Sequence, residues 1–357
     1  MMNNPLPPWE VDVNRGLKAK MISGMFRGQV QNMTRKLLRM AIAYDFDGTL
    51  APGNMQEHSF IPELKLSTKE FWDKAKQMAR DHDMDEILAY MFQMLEGANT
   101  AKVKITRQNF RKHGKDIEFF EGVREWFPRL NKYARGQGVK LDHFIISSGL
   151  REMIEGTPIH SHFKYLFASG FAYDQNDVAF WPALAVNYTN KTQYLFRINK
   201  GILNSYDNQQ INKFVPDEDR EIPFSNMAYI GDGETDVPCM KMLKYQGGCS
   251  VAVFNPKRRG SKNRKSAKDT AFQLLAEKRA EYALPTDYRD GRPLDLLMKA
   301  LIDKVAASGR MQLAKHTRRS DHSVAIEENS SSQGELLSPG SGIEHQNPSS
   351  IASGLLL

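Results

Sequence analysis

The sequence predicts an α/β protein: a doubly wound, mostly parallel sheet interrupted by an inserted helical domain. Apolar runs of strand length recur at 41–46, 141–146 and 226–230, separated by helical periodicities rather than hairpin turns. Each run ends in small or acidic residues: Asp45-Phe46-Asp47-Gly48-Thr49, Ser147-Ser148-Gly149 and Gly231-Asp232-Gly233-Glu234-Thr235-Asp236. Polar groups are thereby gathered at the C-terminal ends of strands, the edge at which open parallel sheets bind ligands.

In chain order, residues 1–38 form a basic leader with no sustained period, expected to be flexible. A basic amphipathic helix over 25–40 is the alternative, and Met33 and Met40 stand as alternative starts. Residues 39–54 open the core. In the first strand, acids two apart share a face, so Asp45 and Asp47 repel unless a cation or proton intervenes, which fits a Mg²⁺ site or an acid/base pair. Residues 55–118 read as a helical cap: Ser67 or Thr68 starts a helix over 69–80, Asp83 or Asp85 starts another, and 106–113 is a third. The core resumes over 119–306. A helix over 124–135 leads to the second strand, and Ser147-Ser148-Gly149 suits an oxyanion. Strands follow at 165–168, 171–173 and 178–186, with 174–177 as a turn.

Thr189-Asn190 then caps a helix that opens on Lys191, where a cation opposes the helix dipole unless an anion is bound nearby. The polar stretch 204–221 reads as an insertion or long loop. After the third strand come a helix over 237–243, a strand over 250–254, and helices over 268–282 and 294–307. The Ser, Gly, Glu, Gln and Pro content of 307–357 predicts a disordered tail.

Composition bounds the function. With 41% hydrophobic and 25% charged residues, the chain is ordinary for a globular protein. No apolar run approaches the roughly 20 residues of a membrane span, and the two cysteines fit a reducing compartment, so a cytoplasmic protein is expected. The net charge of +7 is concentrated in 15–39, 257–268 and 315–319, which argues against nucleic acid as the partner.

The four motifs together, Asp45-Phe46-Asp47-Gly48-Thr49, Ile145-Ile146-Ser147-Ser148-Gly149, Lys191 and Gly231-Asp232-Gly233-Glu234-Thr235-Asp236, resemble the haloacid dehalogenase superfamily over roughly residues 40–306. Within it they resemble the phosphoserine-phosphatase-like branch with a helical cap. The resemblance implies that the core is of that family's Rossmann-like type. It also implies a phosphomonoester hydrolase acting on a small phosphorylated metabolite, with Asp45 as the nucleophile that forms an aspartyl-phosphate. Asp47 would be the general acid and base. Mg²⁺ would be held by Asp45, Asp232 and the main-chain carbonyl of Asp47, with Asp236 orienting its shell. Ser147, with Ser148 beside it, and Lys191 would hold the phosphoryl oxygens.

Lys200 competes with Lys191 for the lysine role; the position of Lys191 at a helix start favours it. Glu57, Arg107 and Arg111 are candidate substrate contacts from the cap. The reading of a different class is a catalytically weak protein that uses the same fold and its basic segments to bind a polyanion.

Overall fold

The computed structural model describes residues 37–258, 260 and 265–333. All of the leader except 37–38 lies outside them, and with it most of the 25–40 helix pattern; so do residues 259 and 261–264 of the basic run. The chain divides into two compact units, Met1–Ala307 and Ser308–Leu357.

β1 (Leu38–Tyr44) opens the first unit. Five helices follow: α1 (Met55–His58), α2 (Phe60–Glu63), α3 (Thr68–Asp81), α4 (Glu86–Ala101) and α5 (Arg107–Lys115). Their starts are set by capping side chains. Ser67 and Glu70 make a reciprocal capping box on α3, Asp85 accepts from Ile87 N and Leu88 N on α4, and Thr106 accepts from Asn109 N on α5. α6 (Val123–Gly136) leads into β2 (Val139–Leu150), α7 (Arg151–Glu155) and β3 (Phe163–Tyr173), which turns back into β4 (Ala179–Leu184). α8 (Lys191–Lys200) and the short α9 (Asn208–Asn212) precede β5 (Met227–Gly231). α10 (Val237–Tyr245), β6 (Cys249–Phe254), α11 (Ala267–Ala276), β7 (Tyr282–Pro285) and α12 (Pro293–Gln333) complete the order.

The strands make one sheet in the order β4-β3-β2-β1-β5-β6-β7, parallel except for the β3–β4 pair. β1 is central and nearly apolar because both of its faces are covered. Met40, Ile42 and Tyr44 pack with Trp126, Phe127 and Leu130 of α6 and with Leu294 and Met298 of α12. Ala41 and Ala43 share the second core with Tyr194, Leu195 and Ile198 of α8 and Met240 and Leu243 of α10.

Several sequence expectations are corrected. β1 stops at Tyr44, so Asp45 and Asp47 lie in the turn beyond the strand and their proximity is not a strand alternation. Ser147-Ser148-Gly149 belongs to β2, at a register irregularity against β3, and β3 is one strand where two short ones were expected. Residues 277–282 are not helical: α11 ends at Ala276, Lys278 adopts a left-handed φ of 58°, and Tyr282 starts β7. In the second unit the chain is helical as far as Gln333, where a disordered tail from 307 was expected. No Gly or Pro interrupts 310–333, so nothing in that composition breaks a helix, and Gly334 follows. Residues 334–357 lie outside the described residues.

A buried polar chain starts from Tyr44 at the C-terminal end of β1. Trp126 Nε1 donates to Tyr44 Oη at 2.9 Å, the Tyr44 hydroxyl meets His143 Nδ1 at 3.0 Å, and His143 Nε2 meets Asn131 Oδ1 at 3.2 Å. The chain is satisfied by a neutral imidazole protonated on Nε2. Burial, with His162 nearby, pushes His143 down to about 3. Because the folded-state value is depressed, the contribution is complete above the unfolded value of about 6.5 and is lost as pH falls toward 3. Acid titration of unfolding free energy is therefore expected to show a loss approaching about 1.4 kcal/mol per pH unit in that window, and His143→Gln to remove that slope. Identical pH slopes in the two proteins would contradict it.

Candidate active site

β1 and β5 are neighbours, and the chain leaves them toward opposite sides of the sheet, so a crevice opens between their C-terminal ends. Asp45 N donates to Ile230 O at 2.9 Å, extending the pairing one residue past β1. The chain then folds into a tight turn closed by Leu50 N to Phe46 O at 2.8 Å and Gly48 N to Ala51 O at 2.7 Å. Phe46 is driven into the core, edge-on to Phe119, while the acids on either side of it line the crevice. Gly48 is required twice over. Its φ is +75°, and a Cβ there would stand 2.1 Å from Asp232 Oδ2. Asp232 can thus reach the first acidic motif only because that motif contains a glycine.

Lys191, on the first turn of α8, ties the motifs together. Its Nζ donates to Asp45 Oδ2 and to Asp236 Oδ1, both at 2.8 Å, and it is fully buried. Asp236 is further held by the Tyr229 hydroxyl at 2.6 Å and by Gly233 N at 3.3 Å. Gly231 makes room for it, since a Cβ there would lie 2.4 Å from Asp236 Oδ2. Asp45 Oδ1 accepts from Phe46 N at 2.7 Å. Asp47 Oδ1 accepts from Met55 N, at the start of α1, at 2.9 Å.

Ser147 is buried at the end of β2, its Oγ accepting from Gly149 N at 3.1 Å; Ser148 Oγ is buried with no hydrogen-bond partner. Asp45, Asp47, Ser147, Ser148 and Asp232 all line one cavity of about 600 Å³. Lys200 lies elsewhere: its Nζ donates to the carbonyls of Ile211 and Lys213, both at 2.6 Å, and anchors the loop after α8. Of the three cap candidates only Glu57 lines the cavity, its Oε1 accepting from Asn54 Nδ2 and Trp72 Nε1, each at 2.7 Å. Arg107 pairs with Asp177 at 2.8 Å and lies over the Tyr173 ring, and Arg111 forks onto Glu155, so neither is brought to the cavity.

The cavity also has walls that sequence reasoning missed: Gln56, Trp72, Lys76, Glu86 and Tyr90 from the inserted helices, with Tyr188 and Arg258 from the core. Tyr90 donates to Ser148 O at 2.6 Å, and Tyr188 donates to Glu86 Oε2 at 3.0 Å. The apolar periodicity of α4 marked its buried face but could not show that Tyr90 on that face meets β2.

The charges do not balance. Asp45, Asp232 and Asp236 each offer a carboxylate oxygen within 4.8 Å of the others, against the one ammonium of Lys191. Burial raises Asp45 to about 6, with Lys191 opposing and Asp236 reinforcing the shift. Burial, then Asp236 and Asp45, raises Asp232 to about 8. Burial and the Asp45 charge lift Asp47 well above the usual carboxylate range. For Lys191 burial works downward, but Asp236 and Asp45 outweigh it and hold the ammonium above its ordinary value. An all-oxygen set with excess negative charge fits a hard divalent cation.

The profile of the haloacid dehalogenase-like hydrolases matches residues 42–241 of this chain. An uncharacterized protein of Borreliella burgdorferi is 29% identical over 231 residues, spanning 57% of this chain and 78% of that protein. A HAD family hydrolase, t0658 of Salmonella enterica serovar Typhi, aligns with a TM-score of 0.46 and 16% identity, over 75% of this chain and 72% of its own. A substrate-bound phosphoserine phosphatase aligns with a TM-score of 0.43 and 15% identity, over 73% and 98%.

Removing the only cation between two buried carboxylates leaves them to repel in a desolvated site. Lys191→Met is expected to cost about 3–5 kcal/mol in denaturant unfolding, whereas Lys200→Met costs only about 1 kcal/mol from its carbonyl contacts. Equal losses in the two variants would refute this assignment.

Proposed function

The chain belongs to the haloacid dehalogenase-like hydrolase family, and from that premise we propose that it is a Mg²⁺-dependent phosphomonoester hydrolase working through an aspartyl-phosphate on Asp45. The observation that carries the reading is the Lys191 bridge from Asp45 to Asp236, with Asp232 beside it and Asp47 on the same cavity wall. A haloalkanoate dehalogenase needs the nucleophile but no acid two residues on, so Asp47 at the cavity favours phosphoryl transfer.

Asp45 attacks phosphorus: a bond forms from its carboxylate oxygen as the bond to the leaving alkoxide breaks. Its orientation is set by Lys191 and Phe46 N. Asp47, kept protonated by burial and by the Asp45 charge, gives its proton to the leaving oxygen. In the second half a water oxygen bonds to phosphorus, the bond from phosphorus to the Asp45 oxygen breaks to return the carboxylate, and Asp47 takes the proton of the water. Ser147 and Ser148 face the transferred oxygens, and the unpartnered Ser148 hydroxyl has hydrogen bonds to offer. Mg²⁺ held by Asp45, Asp232 and the main-chain carbonyl of Asp47, with Asp236 orienting its shell, would supply the charge neutralisation that lets an anionic nucleophile approach an anionic phosphate.

Helices α1–α5 serve as the cap that excludes water and reads the leaving group, a small phosphorylated metabolite in a cavity of about 600 Å³. Cys239 and Cys249, both buried and unpaired, suit a cytoplasmic setting.

Purified protein is expected to release phosphate from p-nitrophenyl phosphate only with Mg²⁺, with chelation stopping turnover and added Mg²⁺ restoring it. Asp45→Asn should lower kcat by about 10⁴-fold or more and Asp47→Asn by roughly 10²–10⁴-fold. Absence of Mg²⁺-dependent turnover, or an Asp45→Asn protein as active as the wild type, would sink the proposal.

A further inference from the structure

A second cavity of about 680 Å³ lies along the first half of β3, lined by Lys164 and Tyr165 of that strand and by Arg111, Arg151, Glu155 and His160. β4 pairs with β3 only from Gly170 onward, so this half of β3 has no strand on its other side among the described residues. The charge is one-sided. Glu155 is already taken by the Arg111 fork, at 3.0 and 2.7 Å, and Lys164 reaches Asp142 at 3.1 Å. Arg151 has no ion-pair partner among the described residues; the neighbouring Glu152 instead stands 3.9 Å from Arg107. The Arg151 Nε is buried without an acceptor, and its guanidinium makes a single 3.4 Å contact, to Ala168 O.

Behind the strand the same deficit recurs. Tyr165 packs on Phe167, and Phe167 stacks on Tyr194, each pair with ring centroids 4.7 Å apart. Tyr194 is fully buried, and its hydroxyl has no hydrogen-bond partner. Burial raises that hydroxyl, while Arg197, the nearby Ser205 hydroxyl and Arg151 pull it back. Arg197 Nε and the Ser205 hydroxyl are buried and unpartnered as well. Arg197 otherwise meets Asn204 O at 2.6 Å and more distant oxygens, and no carboxylate among the described residues. Buried donors are normally satisfied, and guanidinium groups recognise planar or tetrahedral oxyanions.

We propose that this cavity is a second oxyanion site, which takes the phosphate or carboxylate group of a small metabolite against Arg151, with His160 and Lys164 at its mouth. Its position links it to the first cavity. Arg151 directly follows the segment that carries Ser147 and Ser148, and Tyr194 stands one turn after Lys191 on α8. An anion held on Arg151 therefore bears on the segment that supplies Ser147 and Ser148.

The test is calorimetric titration of inorganic phosphate into the wild type, Arg151→Gln and Tyr194→Phe with Mg²⁺ present. Two binding events are expected in the wild type. Arg151→Gln should lose one of them while keeping its p-nitrophenyl phosphate turnover, and Tyr194→Phe, whose hydroxyl lies behind the strand and does not line the cavity, should keep both. Asp45→Asn should lose turnover and keep the Arg151-dependent event, whereas a wild type that shows that event without turnover counts against the proposed function alone. Thermal melts establish that each variant is folded; if Arg151→Gln is not, Lys164→Gln replaces it with the same expectation. Phosphate binding that is equal in the wild type and the folded Arg151→Gln or Lys164→Gln variant, or an event that chloride at matched ionic strength abolishes, overturns the site. Acetate and citrate titrations then distinguish a carboxylate from a phosphate ligand.

Discussion

The ammonium of Lys191, buried between Asp45 and Asp236, is the constraint on which the rest of this structure depends. Carboxylates withdrawn from water at the tips of adjacent strands repel, and their raised proton affinities express that strain. One lysine offsets part of the repulsion and leaves the remainder for a divalent cation. The placement would be poor for a lone helix, because a cation on the first turn opposes the dipole. It is tolerable here because the acids supply a larger and closer field.

The parallel sheet brings these groups together without any of them being near the others in sequence. Pairing of β1 with β5 sets Asp45 beside the Asp232 motif, and pairing of β1 with β2 sets Ser147 and Ser148 on the other flank. Two glycines complete the approach. Gly48 lets Asp232 come against the first turn, and Gly231 gives Asp236 its space. Tyr229 then fixes Asp236 from within the core.

The inserted helices are bound to this edge by polar contacts rather than merely resting on it. Tyr90 reaches the carbonyl of Ser148, Asn187 reaches the N-cap carboxylate of α4 at Asp85, and Met55 N holds Asp47. The groups that would choose a leaving group are thereby coupled to those proposed to perform the chemistry. The basic cavity beside β3 adjoins the segment that follows Ser148, through Arg151.

Much of this was legible in the residue order, for a physical reason. Motifs at strand ends are local: an apolar run must stop where acids and glycine begin, so Asp45, Asp47, Ser147, Asp232 and Asp236 announced themselves. The lysine was not settled in the same way. Lys191 and Lys200 lie on one helix but on nearly opposite faces, and only the packing of α8 decided which face met the acids. The walls of the cavity were equally hidden. Trp72, Tyr90 and Tyr188 carry no local signal of their own, and only the seating of the inserted helices on the sheet brings them to the cavity. Arg107 and Arg111 read as candidate contacts but turned to Asp177 and Glu155. By itself the sequence determined the strand ends, their acids and the family they mark, because those depend on short-range pattern. Only tertiary structure decided the faces, partners and enclosure, because those depend on which distant surfaces are packed together.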